Sequence, residues 1–315
     1  MKEIGGYLEL DKYMLPMLHE KDIALNSGRN CLAYLIRKKN IKVIHLPKFL
    51  CASVADICRR ENVIVKYYSI GMDFLPYGIE QLKNEWVYIV NYYGQLNNDI
   101  LTKLKEKYCN VIIDNVQAYF QTAIENIDTI YTCRKFFGVP DGAFLHTDLA
   151  KDDNLVVDQS FEKMTFILGR FEKTASEFYS EYAKREEKFE NEDIKRMSKL
   201  TLNLLHGIDY NFVRERRSIN YKYLFNKFKK INNLKLVMVE GAYMYPLYVE
   251  NGNEIRNLLQ LSKIYIPTLW PDVFELCIEN ELEYKLAKNI LPIPVDQRYK
   301  EEDMQYIVDK IIEYL

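Results

Sequence analysis

Trp86-Val87-Tyr88-Ile89-Val90-Asn91, a polar-amphipathic stretch over 97–107, and then Val111-Ile112-Ile113-Asp114 decide the fold. Both apolar runs are short, unbroken and rich in β-branched and aromatic residues, as strands buried on both faces are. The stretch between them predicts a helix, and a strand–helix–strand unit of this length lays its two strands parallel in one sheet. Upstream, Ser27 is placed to cap a helix over 28–39. Leu32, Leu35 and Ile36 share one face of that helix, and Arg37-Lys38-Lys39 closes it against the negative end of its dipole. A strand over 42–46 ended by Pro47, a helix over 52–60 and a strand over 63–68 follow. Further strands are expected over 129–132 and 143–146. Alternation of this kind predicts an α/β fold, with a mostly parallel sheet between layers of helices.

After about Asp158 the texture changes. Long helical runs are expected over 161–189 and 193–228. A smaller α+β unit should follow, with strands over 234–240 and 244–249, a helix over 253–262 and a terminal helix over 301–315. The expected division is a large α/β domain over 1–205, including the N-terminal segment, and a small C-terminal α+β domain over 206–315.

Composition narrows the function classes. With 315 residues, 48% hydrophobic, and 43 Lys plus Arg against 45 Asp plus Glu, the chain can build a sizeable core and carries a formal net charge of only −2. A disordered chain and a general nucleic-acid binder are excluded on that balance. No stretch approaches the roughly 18 apolar residues of a membrane span, and the first residues lack the apolar core of a signal peptide. A cytoplasmic protein is expected, with neither nucleic acid nor membrane as partner. Six scattered cysteines without a C-x-x-C pair, and four dispersed histidines, indicate neither a disulfide framework nor a metal site. No H-E-x-x-H, G-x-S-x-G, Walker A or G-x-G-x-x-G pattern occurs.

Ligands of parallel sheets sit beyond the carboxyl ends of the strands, so the polar residues just after each strand are the candidates for chemistry. Four segments qualify: Asn26-Ser27-Gly28-Arg29, Asn91-Tyr92-Tyr93-Gly94-Gln95, Asp114-Asn115-Val116-Gln117 and Thr132-Cys133-Arg134-Lys135. Together they offer an anion site, a carboxylate and an amine. Each also has a plain reading: Ser27 as a helix cap, Asp114 as a turn residue, Thr132 as a strand residue, Gln117 and Lys135 as surface polar groups.

These segments resemble, in order along the chain, the motifs of the DegT/DnrJ/EryC1/StrS family of sugar aminotransferases, which have the aspartate-aminotransferase-like type I fold. Asn91-Tyr92-Tyr93-Gly94-Gln95 is similar to H-L-Y-G-Q, and Asp114-Asn115-Val116-Gln117-Ala118 to D-A-A-Q-A. Thr132-Cys133-Arg134-Lys135 with Asp141-Gly142-Ala143 is similar to S-F-H-x-x-K with its downstream G-G-A. Arg196-Met197-Ser198 resembles N-Y-R-M-S, and Leu291-Pro292-Ile293-Pro294 with Asp303 resembles the C-terminal end.

The resemblance implies the cofactor pyridoxal 5′-phosphate. Lys135 would be the Schiff-base and proton-transfer lysine, and Asp114 the partner of the ring nitrogen. Ser27, Gly28, Arg29 and Thr132 would form the phosphate cradle, and Gln117 a further cofactor or substrate contact. Implied partners are an amino-acid donor, a keto acceptor on a nucleotide-linked sugar for surface polysaccharide, and a second copy of the chain in a homodimer. The sequence departs from the family at three places. Arg29 replaces a small hydroxyl, Cys51 stands where an aromatic usually covers the cofactor ring, and Ile194 aligns with the asparagine that reaches a partner's phosphate. These departures leave open an alternative: a non-catalytic relative that binds cofactor or sugar nucleotide as a regulator or partner subunit.

Overall fold

The alternation of short apolar runs and helices is realised as one eight-stranded mixed sheet, in a computed structural model that describes residues 4–81, 83–188 and 192–315. In chain order the elements of this part are β1 (Ile23–Leu25), α1 (Gly28–Lys39), β2 (Val43–Pro47), α2 (Ala52–Arg60), β3 (Ile64–Ile70), β4 (Pro76–Tyr77), β5 (Trp86–Val90), α3 (Asn98–Lys107), β6 (Val111–Asp114), β7 (Asp128–Thr132) and β8 (Ala143–His146). The strand order is β1-β8-β7-β6-β5-β2-β3-β4. Neighbours from β3 to β7 pair in parallel, while β4, β8 and β1 add antiparallel edges. Chain order reverses direction between β2 and β5, so the loops after these strands face one another across a crevice, the usual ligand position in open α/β sheets. Register brings Val90, Asp114 and Ile130 level with one another at its edge.

Beyond the sheet come α4 (Thr165–Glu172), α5 (Tyr179–Lys188), α6 (Lys199–Leu205), α7 (Tyr210–Phe228), β9 (Met244–Tyr248), α8 (Gly252–Leu261), α9 (Val273–Leu276), α10 (Leu282–Asn289), β10 (Ile290–Pro294) and α11 (Glu301–Tyr314). Buried Tyr221, Leu224, Phe228, Leu247, Leu291, Met304 and Val308 form a core of their own between α7, α11 and the β9–β10 ribbon. The main core continues from the sheet into Val273, Cys277, Leu286 and Ile290, so the C-terminal region packs on the sheet domain.

Helix starts follow their caps. The Ser27 hydroxyl accepts from the Asn30 N–H, and Asn97 and Asp209 do the same for Ile100 and Phe212.

Where the structure departs from sequence expectation, tertiary partners explain it. The expected helix over 193–228 is interrupted twice. Arg196 forms bridges to Leu25 and Val157, and new caps at Ser198 and Asp209 restart the chain as α6 and α7. The run over 161–189 breaks where Lys173 turns extended between α4 and α5, and its last residue, Phe189, lies outside the described residues. The strand expected over 234–240 is absent, because side chains meet its backbone. The Val237 N–H donates to Gln95 Oε1 (2.8 Å) and its carbonyl accepts from Tyr221 Oη (2.9 Å). Instead β9 pairs with β10, whose prolines argue against a strand. Pro292 faces Pro246 in the register, and in a two-stranded ribbon each strand has a free edge that needs no N–H.

Candidate active site

At the end of β6, Asp114 is buried, with Tyr88 of the adjacent strand donating its hydroxyl to Oδ2 (2.8 Å) and the Val116 N–H bonding Oδ1 (2.9 Å). Burial pushes its carboxyl up from the ordinary aspartate range, and the charge of Lys135 together with these two hydrogen bonds pulls it back. Lys135 follows β7. Past Thr132 the chain turns tightly, with the N–H groups of Phe136 and Phe137 both on the Cys133 carbonyl (3.0 and 2.9 Å). The aromatic side chains of Phe136 and Phe137 lock into a buried cluster with Tyr119, Tyr131 and Phe144, which fixes the turn. The Lys135 amine has no hydrogen-bond partner among the described residues, and Nζ lies 5.6 Å from the ring centre of Tyr243. Burial holds it below the ordinary lysine value. Asp114 and Cys51 oppose that, and the cations of Arg134 and Arg29 reinforce it.

The start of α1 completes the group. With Asn30 N–H on the Ser27 hydroxyl and Cys31 N–H on the Ser27 carbonyl, the N–H groups of Gly28 and Arg29 have no partner among the described residues. A side chain at Gly28 would meet only Ile130 Cγ2 at 3.6 Å and Val116 Cγ1 at 3.8 Å, ordinary contacts. The helix N-terminus therefore overlies the ends of β6 and β7, and nothing in the chain's own packing requires a glycine there. Thr132 ends β7 with its hydroxyl unbonded among the described residues.

The structure thus brings Asp114, Lys135, Gly28 and Arg29 together, with Ser27 serving as the cap and Thr132 one turn before the lysine. Gln117 is placed differently from a surface polar group. It is buried, and its Oε1 accepts the Tyr93 N–H (2.7 Å), holding Tyr93 in a left-handed conformation with φ 53°. Cys51 stands at the N-cap position of α2 near Lys135, without a side-chain capping bond, and the Ser53 hydroxyl donates to its sulfur (3.1 Å). Nearby in the chain, Phe49 is buried against Tyr92 and Trp270, with ring centres 5.3 and 4.6 Å away. Ile194 is buried in the main core. Arg217 is a buried residue bonded to backbone carbonyls, whereas Arg298 pairs with Asp296 at the surface.

Sequence reasoning missed Tyr88 and Tyr243, which 25 tyrosines spread along the chain gave no local signal to single out. Arg217 could have been found. It stands at helical spacing between Val213 and Tyr221 on the apolar face of α7. Elsewhere, Cys277, Glu281 and Glu283 bring ligand-type atoms within 4.8 Å of one another, but Lys48 pairs with Glu281 and the Ile70 N–H with Glu283.

A carboxylate, an amine free of acceptors and unpartnered N–H groups at a helix N-terminus fit a pyridoxal phosphate, whose ring nitrogen, aldehyde and phosphate need those three kinds of partner. The space left by the absent side chain of Gly28 agrees with close approach of the phosphate.

No family model and no curated protein matches the chain. Solved structures do. An aminotransferase of the DegT DnrJ EryC1 StrS type from Brucella abortus is 14% identical, with TM-score 0.63 over 93% of this chain and 85% of that one. NtdA from Bacillus subtilis, solved with bound cofactor PMP, is 11% identical, with TM-score 0.67 over 96% and 78%. The sugar aminotransferase CalS13 from Micromonospora echinospora is 13% identical, with TM-score 0.60 over 92% and 86%. At these identities the shared property is architecture: the chain has the α/β fold of these aminotransferases along nearly its whole length.

Proposed function

We propose that this protein is a pyridoxal-phosphate-dependent aminotransferase that moves an amino group from an amino-acid donor to a keto group on a nucleotide-linked sugar destined for surface polysaccharide. The observation that carries this reading is the pairing of buried Asp114 with an acceptor-free Lys135 amine, beside the unpartnered N–H groups of α1. The sugar acceptor is supported by what similar folds are named for. A pure binder has no use for a partly buried amine held away from acceptors, which supports turnover over the non-catalytic alternative.

In this reading Ser27, Gly28, Arg29 and Thr132 would hold the phosphate, Asp114 would partner the ring nitrogen, and Lys135 would react with the aldehyde. When bound, the cofactor supplies an electron-withdrawing ring that makes loss of the donor's α-proton feasible. The N–H groups of Gly28 and Arg29, with the positive end of α1, bind a dianion without needing to reorganise. The Asp114 carboxylate, fixed by Tyr88 and Val116, keeps a proton on the group facing it, because a buried anion stabilises a neighbouring cation strongly. Burial keeps the Lys135 amine more readily neutral than an ordinary lysine, which suits Nζ to accept a proton and return it on the other side of the transfer. The ring of Tyr243, centred 5.6 Å from Nζ, lies against one side of the amine.

We place the cofactor in the domain of residues 1–205, with residues 206–315 shaping the acceptor pocket, and expect a cytoplasmic homodimer. Pairing is supported by exposed Tyr7, Leu8, Met14 and Phe171. No helix among the described residues is long and apolar enough to cross a membrane.

The test is an absorbance spectrum with added pyridoxal phosphate, followed by borohydride reduction and peptide mapping. A visible band in the wild type, lost in Lys135→Ala, with the reduced adduct on Lys135, is expected. An adduct on another lysine, or no band, would sink the assignment.

A further inference from the structure

We infer that Arg217, on α7 of the C-terminal region, is a positioning residue that sets the Lys135 turn and thereby the reactivity of its amine; the inference rests on Lys135 being the reacting lysine of the proposed function. Arg217 is 2% exposed, and none of its hydrogen bonds goes to a carboxylate. Nη2 donates to the Phe136 carbonyl (3.2 Å), Nη1 to the carbonyls of Ala242 (3.0 Å) and Tyr243 (3.3 Å), and Nε to Gln297 Oε1 (2.9 Å). The guanidinium also lies 4.7 Å from the ring centre of Phe136. Gln297 donates from Nε2 to the same Phe136 carbonyl (2.9 Å), so that single oxygen receives two side-chain donors.

These partners have one thing in common. Phe136 is the residue after Lys135, and Tyr243 carries the ring over which Nζ sits. The guanidinium therefore joins the turn that bears the amine to the backbone that bears its floor. Burying a cation without an ion pair is costly, and burial lowers the Arg217 value to about 10, which still leaves it charged at neutral pH. An apolar side chain on the buried face of α7 would avoid that cost. What it could not do is span three carbonyls at once, which the planar fork of arginine does. No periodic signal requires those carbonyls to be tied together; the placement of Lys135 over Tyr243 does.

If the clamp is released, Lys135 relaxes toward water, loses the burial that holds its amine down, and returns toward an ordinary lysine. The test labels cofactor-free protein with an amine-acylating reagent from about pH 6 to about pH 11 and follows Lys135 by peptide mass spectrometry. Wild type should show a Lys135 midpoint below that of exposed Lys103. In Arg217→Met the midpoint should rise by about one unit, a roughly tenfold loss of neutral amine at pH near 8, with Lys103 unchanged. Gln297→Ala removes one donor from the Phe136 carbonyl and the acceptor of Arg217 Nε. It should shift the midpoint in the same direction by a smaller amount, and it decides the matter if Arg217→Met does not fold. A folded variant that is merely less stable would leave the midpoint where it is, and that result overturns the inference. Because the labelling needs no cofactor, a wild type that fails to react with pyridoxal phosphate would remove the proposed function while the Lys135 profile still reported on Arg217.

Discussion

Gly28 is where the demands of packing and of ligand binding separate. A methyl group there would sit in ordinary contact with Val116 and Ile130, and alanine favours a helix over glycine, so Gly28→Ala should unfold within about 1 kcal/mol of wild type in urea. If the missing side chain makes room for a phosphate, the same variant should lose about tenfold in pyridoxal phosphate affinity by spectral titration, or about 1.4 kcal/mol. Unchanged affinity would take Gly28 out of the cradle. Asp114→Asn keeps an acceptor for the Val116 N–H but removes the buried charge. Band formation should survive, and the decay of the visible band on adding an amino acid should slow by about 10²-fold or more in stopped flow. The strand-end residues Asp114 and Lys135 were readable because a polar residue directly after an apolar strand has few places to be. Tyr243 was not readable, since it reaches Lys135 from 108 positions away in the chain.

At the scale of elements, α6 depends on a buried carboxylate. Asp141 is fully buried and accepts from the Ser198 N–H (3.0 Å), the Ser198 hydroxyl (2.8 Å) and the Thr201 hydroxyl, while the Ser198 hydroxyl caps α6 by accepting the Thr201 N–H (3.1 Å). The loop leading into β8 and the start of α6 are thereby tied together next to Gly142. At φ +109°, Gly142 adopts a conformation that a side chain would strain, and a Cβ there would press on Thr201 and Met197. Asp141→Ala strands buried donors and should cost about 3 kcal/mol of unfolding free energy, against about 1 kcal/mol for Asp209→Ala at the exposed cap of α7. Equal losses in urea denaturation would show that the buried network is no stronger than a surface cap. The cap of α1 was visible in the sequence, since Ser27 stands directly before an amphipathic run and acts within one turn, whereas Ser198 and Asp209 read as interior positions of one long helical run. The absence of a strand over 234–240 was not visible, because the groups that occupy its backbone, Gln95 and Tyr221, come from two distant elements.

For the whole molecule, acid should act through carboxylates that bind fewer protons folded than unfolded. At Asp22, burial alone would raise the carboxyl, but hydrogen bonds and charge from His19 and His146 outweigh it and lower the value. Asp158 is lowered in the same way, with Lys163 and Lys195 overcoming burial. A lowered folded value gives stability that is present above the ordinary aspartate value of about 3.9 and lost as pH falls through the folded one. The melting temperature should therefore drop on acidification through that window, and Asp22→Asn should melt lower at neutral pH with a shallower acid slope; a parallel slope would remove Asp22 from the effect. The sequence by itself determined the α/β alternation, the parallel core strands, the cap of α1 and which strand ends carry an amine, a carboxylate and a helix N-terminus. Those follow from periodicity and capping, which act over a few residues. Only the tertiary structure decided that Tyr243 lies under Lys135, that Arg217 clamps both, that β9 pairs with β10 and that the long helical runs break. These contacts are made between segments far apart in the chain, and close packing, with no periodic trace in the sequence, selects them.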